Sequence, residues 1–404
     1  MSEWKQMPFG ECFELHRNNT CARALMGNAG SVQNIHYGDI LVKYGAVVDL
    51  GKEEVPYLTE DGEKCAPKDY LKDGDIVIAD TAEDEIAGKV VEVRGLGDRK
   101  ATAGLHTVMC RPKDGEMFEP GWLGYWMNSK GYHDQLISMM TGIKVLSLSR
   151  ANFAKTYICV PKREEQRRIV SAFNDADQMI ANLEKRIAKR KLIKQGMMQQ
   201  LLTGKVRLPG FKGEWVEKPL VQVADFMTVT TAVSGIKIDE YVGTENMLPN
   251  CMGVAKNHAD IPYVSVREYR ISDILISNIR PYLKKCWLSD RNGGCSNDVI
   301  VIRGRENETL PEFLYGVLSQ DAFFKYVMDA AVGTKMPRGD KKVIAMYAVK
   351  IPPTFEEQQA IAQMLADADA EIATLERKLA KYRQLKSGMM SELLTGNVRL
   401  GEGK

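Results

Sequence analysis

The residue types able to do covalent chemistry are present in this chain, but not in arrangements that would do it. Five histidines (16, 36, 106, 133 and 258) stand apart from one another, and eight cysteines (12, 21, 65, 110, 159, 251, 286 and 295) include no Cys-x-x-Cys pair and no Cys/His cluster at zinc-ligand spacing. The acidic run Glu83-Asp84-Glu85 with Lys89 has the residue types of a nuclease site, yet a run of like charge in a polar stretch reads first as a solvated loop. Gly204-Lys205 is followed by Val206, which has no hydroxyl to place on magnesium, so it is not a phosphate-binding loop. A dinucleotide fingerprint, a His-Glu-x-x-His helix and a Gly-x-Ser-x-Gly elbow are all missing. The residues predict a protein that binds rather than one that catalyses, with no metal site.

The elements that would carry a binding surface are organised by an internal duplication. The stretch from Pro161 to Leu208 recurs without a gap from Pro353 to Leu400, at a constant offset of 192 residues, with about half of the positions identical. Apolar residues at Ile169, Phe173, Ala176, Ile180, Leu183 and Ile187, and again at Ile361, Leu365, Ala368, Ile372, Leu375 and Leu379, alternate steps of four and three. A 3.5-residue period makes a narrow stripe that is buried along its length by a supercoiled partner helix. Each arm should close at the glycine after Leu-Leu-Thr, Gly204 and Gly396, and Thr354 with Glu357 offers a capping box where the second arm begins. The economical partner of each stripe is the other copy, paired antiparallel about a pseudo-twofold axis. From Ile169 to Leu201 such a helix runs about 50 Å.

Before each arm lies a segment of mixed short strands and helices, and the two segments are weakly alike. Trp4 and Pro8 match Trp215 and Pro219, Asp75-Ile76-Val77-Ile78 resembles Asp273-Ile274-Leu275-Ile276, and Pro120, Leu123 and Lys144 fall 191 positions before Pro311, Leu314 and Lys335. Asp75 to Ala79 and Val299 to Ile302 are strand candidates, and Glu312 to Val327 has helical spacing. The predicted fold is α+β, or mixed α/β: two globular domains separated by two long antiparallel coiled-coil helices in an internal repeat. The predicted boundaries are 1–160 and 212–352 for the globular domains, with 161–211 and 353–404 for the helical regions.

At 404 residues the chain exceeds one ordinary core, and its composition, 44% hydrophobic and 27% charged, is that of a globular protein. No apolar run approaches the roughly 20 residues of a spanning helix and no signal-peptide pattern opens the chain, which predicts a cytoplasmic location. The net charge of +2 hides an uneven distribution: residues 161–212 carry 13 Lys and Arg against 5 Asp and Glu, whereas 1–160 carry 18 against 23 and 213–352 carry 17 of each. A nucleic-acid partner would therefore need a locally basic surface rather than a basic domain.

With these features assembled, the chain resembles the specificity subunit of a Type I restriction-modification enzyme. The residues that carry the resemblance are Glu-Glu-Gln at 164–166 and 356–358, Asp-Ala-Asp at 175–177 and 367–369, Leu-Glu at 183 and 375, Gly-Met-Met at 196 and 388, and the Leu-Leu-Thr-Gly-x-Val-Arg-Leu ends. They cover about a quarter of the chain. In the second domain, Ser277 to Lys285 and Ser296 to Arg303 look like the family's target-recognition domains, whereas the first domain matches more loosely. The resemblance implies that each globular domain reads one half of a split double-stranded DNA sequence, that the helices set the gap, and that two methyltransferase subunits and a restriction subunit assemble on the chain. It places S-adenosylmethionine on the methyltransferases and ATP with magnesium on the restriction subunit, with no cofactor here.

Two readers joined by a stiff rod contact one face of a duplex only at certain helical phases, so gap length becomes part of the recognised sequence. Basic side chains set register on phosphates, and donors and acceptors on base edges give specificity. The candidate DNA-binding residues are Lys144 and Arg150 on the loop Thr141 to Arg150; Lys335, Arg338, Lys341 and Lys342 on Val332 to Lys342; and Arg280, Lys284 and Lys285. The competing reading is a non-catalytic coiled-coil scaffold that pairs two binding modules without reading DNA. A self-contained nuclease or methyltransferase would need a site that the motifs do not provide.

Overall fold

The computed structural model describes residues 4–65, 69–261, 263–331, 333 and 336–400. The chain forms two compact units, one of residues 1–182 with 378–404 and the other of residues 183–377. Each contains a globular domain and a part of each long helix.

In the first unit a five-stranded sheet orders Phe13–His16, Thr107–Pro112, Ile76–Ala79, Val90–Arg94 and Val47–Asp49, antiparallel except for the last pair. A four-stranded sheet holds Lys100–Ala103, Val32–Ile35, Tyr57–Leu58 and Met26–Gly27. Ile76 to Ala79 are wholly buried, consistent with a central strand reading as a continuous apolar run. In the second unit one antiparallel sheet orders Ala224–Met227, Val299–Gly304, Ile274–Ser277 and Cys286–Leu288, and a second holds Thr230–Ala232, Ser265–Tyr269, Gly293–Cys295 and Tyr241–Val242. The mixed fold is thus as the sequence predicts. The helical spacing from Glu312 to Val327 is divided between two helices, Pro311–Leu318 and Asp321–Asp329, because the chain turns at Ser319-Gln320.

The likeness of the two domains extends to their buried polar contacts. Arg111 binds Asp75 with Nε to Oδ1 at 2.8 Å and Nη2 to Oδ2 at 2.7 Å, and Arg303 binds Asp273 in the same fork at 2.7 and 2.8 Å. Both carboxylates are buried, so the planar guanidinium supplies the paired donors each needs. A two-stranded ribbon closes each domain, Lys5–Pro8 with Tyr157–Val160 in the first and Val216–Pro219 with Ala348–Ile351 in the second.

The long helices run from Arg163 to Leu201 and from Phe355 to Leu393, 39 residues each, or about 58 Å. Their stripes are covered: Ile169, Phe173, Ala176, Leu183, Ile187, Ile361, Leu365, Ile372 and Leu375 are buried, and Ile180, Ala368 and Leu379 are half-buried. The first heptads also serve a second core. Ile169 and Phe173 pack with Trp122 and Tyr125 of the first domain, while Ile361 and Leu365 pack with Phe313 and Leu314 of the second. The helix starts are therefore rooted in the globular domains rather than free-standing.

Within each unit the helices run antiparallel, and their register repeats. In the first unit Lys386 binds Asp177 and Arg399 reaches Glu165 at 3.5 Å. In the second, Lys194 binds Asp369 at 2.5 Å and Arg207 binds Glu357. Adding 192 to Asp177 and Glu165 gives Asp369 and Glu357; subtracting 192 from Lys386 and Arg399 gives Lys194 and Arg207. The same two ion pairs are made twice with donor and acceptor helices exchanged, so the antiparallel pairing expected of the two copies is found within each unit.

These contacts also explain the motifs. Gln166 accepts from the Glu119 amide at 2.8 Å and donates to the carbonyls of Pro161 and Met117, and Gln358 accepts from the Leu310 amide at 2.8 Å and donates to the Glu308 carbonyl. Glutamine thus ties each helix start to its own domain, while the preceding glutamate clasps the arginine that follows the other helix. The Thr354 hydroxyl accepts from the Glu357 amide at 3.3 Å, one half of the expected capping box, while the Glu357 carboxylate is taken by Arg207 and Trp215 instead of the Thr354 amide. Gly204 and Gly396 take φ of 70° and 74°, and an added Cβ would lie 3.1 Å from Trp215 and 3.4 Å from Trp4. Conformation and the close indole both select glycine at these helix ends.

Glu357 is buried against Arg207 and Trp215, so removing the arginine leaves an uncompensated charge. Arg207→Met should destabilise the second unit by about 3 kcal/mol, read from urea unfolding, and adding Glu357→Leu should recover most of it.

Candidate nucleic-acid interface

In the second unit the hairpin between Ile274–Ser277 and Cys286–Leu288 is joined by Asn278 to Lys285. Arg280 and Lys284 sit there at φ of 50° and 51°, in the left-handed region that non-glycine residues enter only when held. What holds them is a set of backbone bonds: Arg280 N–H to the Pro337 carbonyl at 2.8 Å, Leu283 N–H to Arg280 at 2.9 Å, Lys284 N–H to Pro281 at 2.9 Å, and a β-bridge between Ile279 and Arg338. The hairpin loop and the segment around Arg338 thereby form one surface.

On that surface Arg280 is exposed, and Arg338 is 57% exposed with Nη2 at 3.0 Å from Asp298. Lys341 is exposed at the start of the helix Lys341–Ala345; partial burial, then the nearby Arg267 and Arg338, lower its pKa. A cation beside other cations is stabilised by an anion arriving between them. Lys342 is exposed on the same helix, its amide capped by Asp340 at 2.8 Å. Lys284 and Lys285 are directed elsewhere: Lys284 Nζ binds Asp321 at 2.6 Å and Lys285 Nζ donates to the Thr244 carbonyl at 2.7 Å. Burial lowers the pKa of Lys285. Lys335 lies outside the described residues.

In the first unit the counterpart is a tongue, Thr141 to Ser147, closed by paired backbone bonds of 3.1 and 2.8 Å between its ends. Gly142 has φ of 131°, and a Cβ there would lie 1.8 Å from the Val145 carbonyl oxygen, so only glycine makes the turn. At the tip Ile143 is 100% exposed, Val145 is 48% exposed and Lys144 projects beside them. The tongue pairs with the loop after the central strand through Leu146–Ser147 and Thr81–Ala82. Ser147 lies 191 positions before Arg338, so this pairing corresponds to the Ile279–Arg338 bridge of the second unit. Arg150 turns back: its Nη2 donates to the His16 carbonyl at 3.1 Å and to Asn18 Oδ1 at 3.4 Å.

The structure thus brings Arg280, Arg338 and Lys341 together, places Lys144 alone on the first tongue, and engages Arg150, Lys284 and Lys285 in internal bonds. It adds groups without a motif to signal them. Arg267 is near enough to lower the pKa of Lys341, but its Nη1 donates to the Val299 carbonyl. In the first unit Arg23, Lys43, Lys52 and Arg99, spread over 77 positions of sequence, line a cavity of about 580 Å³ together with Glu53 and Glu54, and Arg23 and Lys52 are paired with Asp39 and Asp49. The acidic run Glu83 to Glu85 lies in the loop after Ile76–Ala79, and Lys89 donates from Nζ to the Leu41 carbonyl at 2.9 Å. Among the described residues no group of three metal-ligating side chains converges, and no helix is long and apolar enough to cross a membrane.

Residues 263–382, which include the hairpin loop and the described part of the Arg338 segment, match the family model of the Type I restriction modification DNA specificity domain. The Type I restriction enzyme MjaVIII specificity subunit of Methanocaldococcus jannaschii is 25% identical over 296 residues, covering 66% of this chain and 67% of that protein. The putative Type I restriction enzyme MjaX specificity subunit of the same organism is 24% identical over 428 aligned positions, covering 98% and 94%. Among solved structures, the S subunit of a Type I restriction-modification system from M. genitalium superposes with a TM-score of 0.59 at 14% identity over 96% of each chain. A chain from a structure of type I system assembly and conformational transition gives 0.57 at 17% identity, over 98% of this chain and 99% of that one. The second half of the chain thus matches the DNA specificity domain, the sequence is similar to Type I specificity subunits, and the fold is shared with solved S subunits.

Proposed function

We propose that this chain is the DNA sequence-recognition subunit of a Type I restriction-modification complex. Each globular domain reads one half of a bipartite site in double-stranded DNA. The paired helices set the gap between halves and dock two methyltransferase subunits, with restriction subunits joining that assembly. The observation that carries this reading is the doubled ion-pair register, Asp177–Lys386 with Glu165–Arg399 and Asp369–Lys194 with Glu357–Arg207. A surface presented twice in the same form suits two copies of one partner.

In this reading the chain selects the address and does no chemistry. S-adenosylmethionine is held by the methyltransferases, and ATP with magnesium by the restriction subunits, in the cytoplasm where the genome is reached. Readout falls to the two tongue-and-hairpin surfaces. Arg280, Arg338 and Lys341 are suited to phosphates and guanine edges, and the exposed Ile143 beside Lys144 to apolar contact with a thymine methyl.

The deciding experiment is sequencing of methylated DNA from a host with and without this chain: a split motif modified only in its presence is expected. Gel-shift selection from random-sequence pools with the methyltransferase partner should enrich the same motif, and failure to enrich any would favour the scaffold instead.

Two further outcomes follow from the geometry. Inserting one heptad at paired positions of both helices lengthens the pair by about 10 Å and should widen the recognised gap by about three base pairs, read by the same sequencing. Arg280→Ala should weaken DNA binding by about 1–3 kcal/mol and, where the contact is to phosphate, reduce the slope of log affinity against log salt by about one; fluorescence anisotropy across a salt series measures both.

A further inference from the structure

The basic surface of the second domain stands on a junction of three segments, and the first domain builds the same junction from different residues. In the second unit the Asn278 amide donates to the Asp298 carbonyl at 2.8 Å, and the Asn278 carbonyl accepts from the Gly339 amide at 3.0 Å. In the first, the Asp80 amide donates to the His106 carbonyl at 3.1 Å, and the Asp80 carbonyl accepts from the Leu148 amide at 2.8 Å. Asp80 thus corresponds to Asn278, and His106 to Asp298. The sequence agrees: Asp80 and Asn278 each lie five positions after the buried Asp75 and Asp273, and the strands Thr107–Pro112 and Val299–Gly304 begin directly after His106 and Asp298.

At this place the second domain pairs Asp298 with Arg338. Ser147, the counterpart of Arg338, carries no charge, and the first domain has another pair there. His106 Nδ1 lies 3.8 Å from Asp80 Oδ1, which also accepts from the Thr81 hydroxyl at 2.8 Å. The imidazole is 48% exposed, and the Tyr37 ring meets it in a T-shaped contact at 5.2 Å. Its backbone is held at φ of 54°, which makes His106 the one non-glycine residue in the left-handed region among the described residues of the first unit. Arg280 is held in that region in the second domain. An exposed side chain kept on a sparsely populated backbone conformation is one whose direction the fold maintains.

The carboxylate on the Nδ1 side favours the tautomer with its proton on Nδ1, which makes Nε2 an acceptor. In the major groove the donors that suit it are exocyclic amines, N6 of adenine and N4 of cytosine. We propose that His106 is a base-reading residue of the first domain, taking such an amine on Nε2 while Asp80 positions the ring. This role rests on the recognition function proposed above. It supplies a polar reader to a domain whose tongue offers Lys144 and apolar groups.

The test uses the chain assembled with its methyltransferase partner and the split motif obtained by sequencing methylated DNA. His106→Gly removes the ring without straining a backbone at positive φ. It should relax one base pair, with discrimination there falling about tenfold, in the half of the motif that Arg338→Ala leaves intact. The other positions of that half and the gap should stay as in the wild type. Replacing the base at the relaxed position by an analogue without the amine should weaken wild-type binding about tenfold and leave His106→Gly unaffected. Asp80→Asn should relax the same position by a smaller factor, and a loss spread over the whole half would overturn its positioning role. An unchanged motif with His106→Gly, relaxation in the half that Arg338→Ala affects, or weakening spread evenly over all sequences overturns base reading by His106. A wild-type complex that yields no split motif would instead overturn the recognition function and this role with it.

Discussion

The structure depends on where each long helix is clasped. Glutamates 165 and 357 each take an arginine from just beyond the end of the other helix, and 357 does so with its carboxylate wholly buried. A buried carboxylate is tolerated only when its partner arrives in the correct geometry, so this contact penalises any slip in register more than the apolar stripe does. A heptad stripe can slide by seven residues and still bury leucines. A buried Glu–Arg fork has one partner, and a slip leaves a charge without it. The stripe supplies the attraction between the helices, and the clasp selects one alignment.

Glutamine completes the constraint from the other side. Gln166 and Gln358 spend their amides on backbone groups at the base of their own domains, so the helix start cannot rotate without exposing unpaired polar atoms. Adjacent residues in one short motif therefore do opposite jobs, one fixing helix to domain and the other fixing helix to helix. The rooting of Ile169, Phe173, Ile361 and Leu365 in the domain cores acts in the same direction. Rigidity at the tongue and hairpin surfaces has a comparable origin, in backbone bonds that hold Arg280 and Lys284 in a conformation they would otherwise leave.

Much of this was legible in the residues because it is local or repeated. The 3.5-residue stripe, the glycine stops, the capping threonine and the constant offset are properties of contiguous sequence, and duplication turned weak signals into a pattern. The central strands Ile76–Ala79 and Val299–Gly304 were legible as short apolar runs between turn residues. What was not legible depends on distant pairings. The inward turn of Arg150 is set by the carbonyl of His16, 134 positions away, and nothing near Arg150 signals it. Lys284 and Lys285 look like part of an exposed basic run until Asp321 and the Thr244 carbonyl are brought beside them. Arg267, on a strand whose neighbours are chosen by sheet topology, carries no motif at all. Nor does periodicity report the turn at Ser319-Gln320, since the apolar spacing continues across the break between the two helices.

The near-balance of charge, which at first argues against a nucleic-acid partner, takes on a different meaning with the geometry in place. The second domain has 17 basic and 17 acidic residues, yet Asp273 is buried on Arg303, Asp225 binds Arg305 and Glu308 binds Lys218, so these charges cancel in pairs. Arg280, Arg338 and Lys341 remain grouped on one surface, with Asp298 the acidic group beside them. Non-specific affinity rises with every phosphate neutralised, and a strongly basic domain would spend most of its time on the wrong DNA. A neutral body with a compact basic patch binds non-cognate sequence weakly, leaving discrimination to base contacts and to the simultaneous fit of two half-sites. For the recognition role proposed above, low overall charge would therefore be an advantage, because it leaves selectivity to contacts that bulk electrostatics would blur.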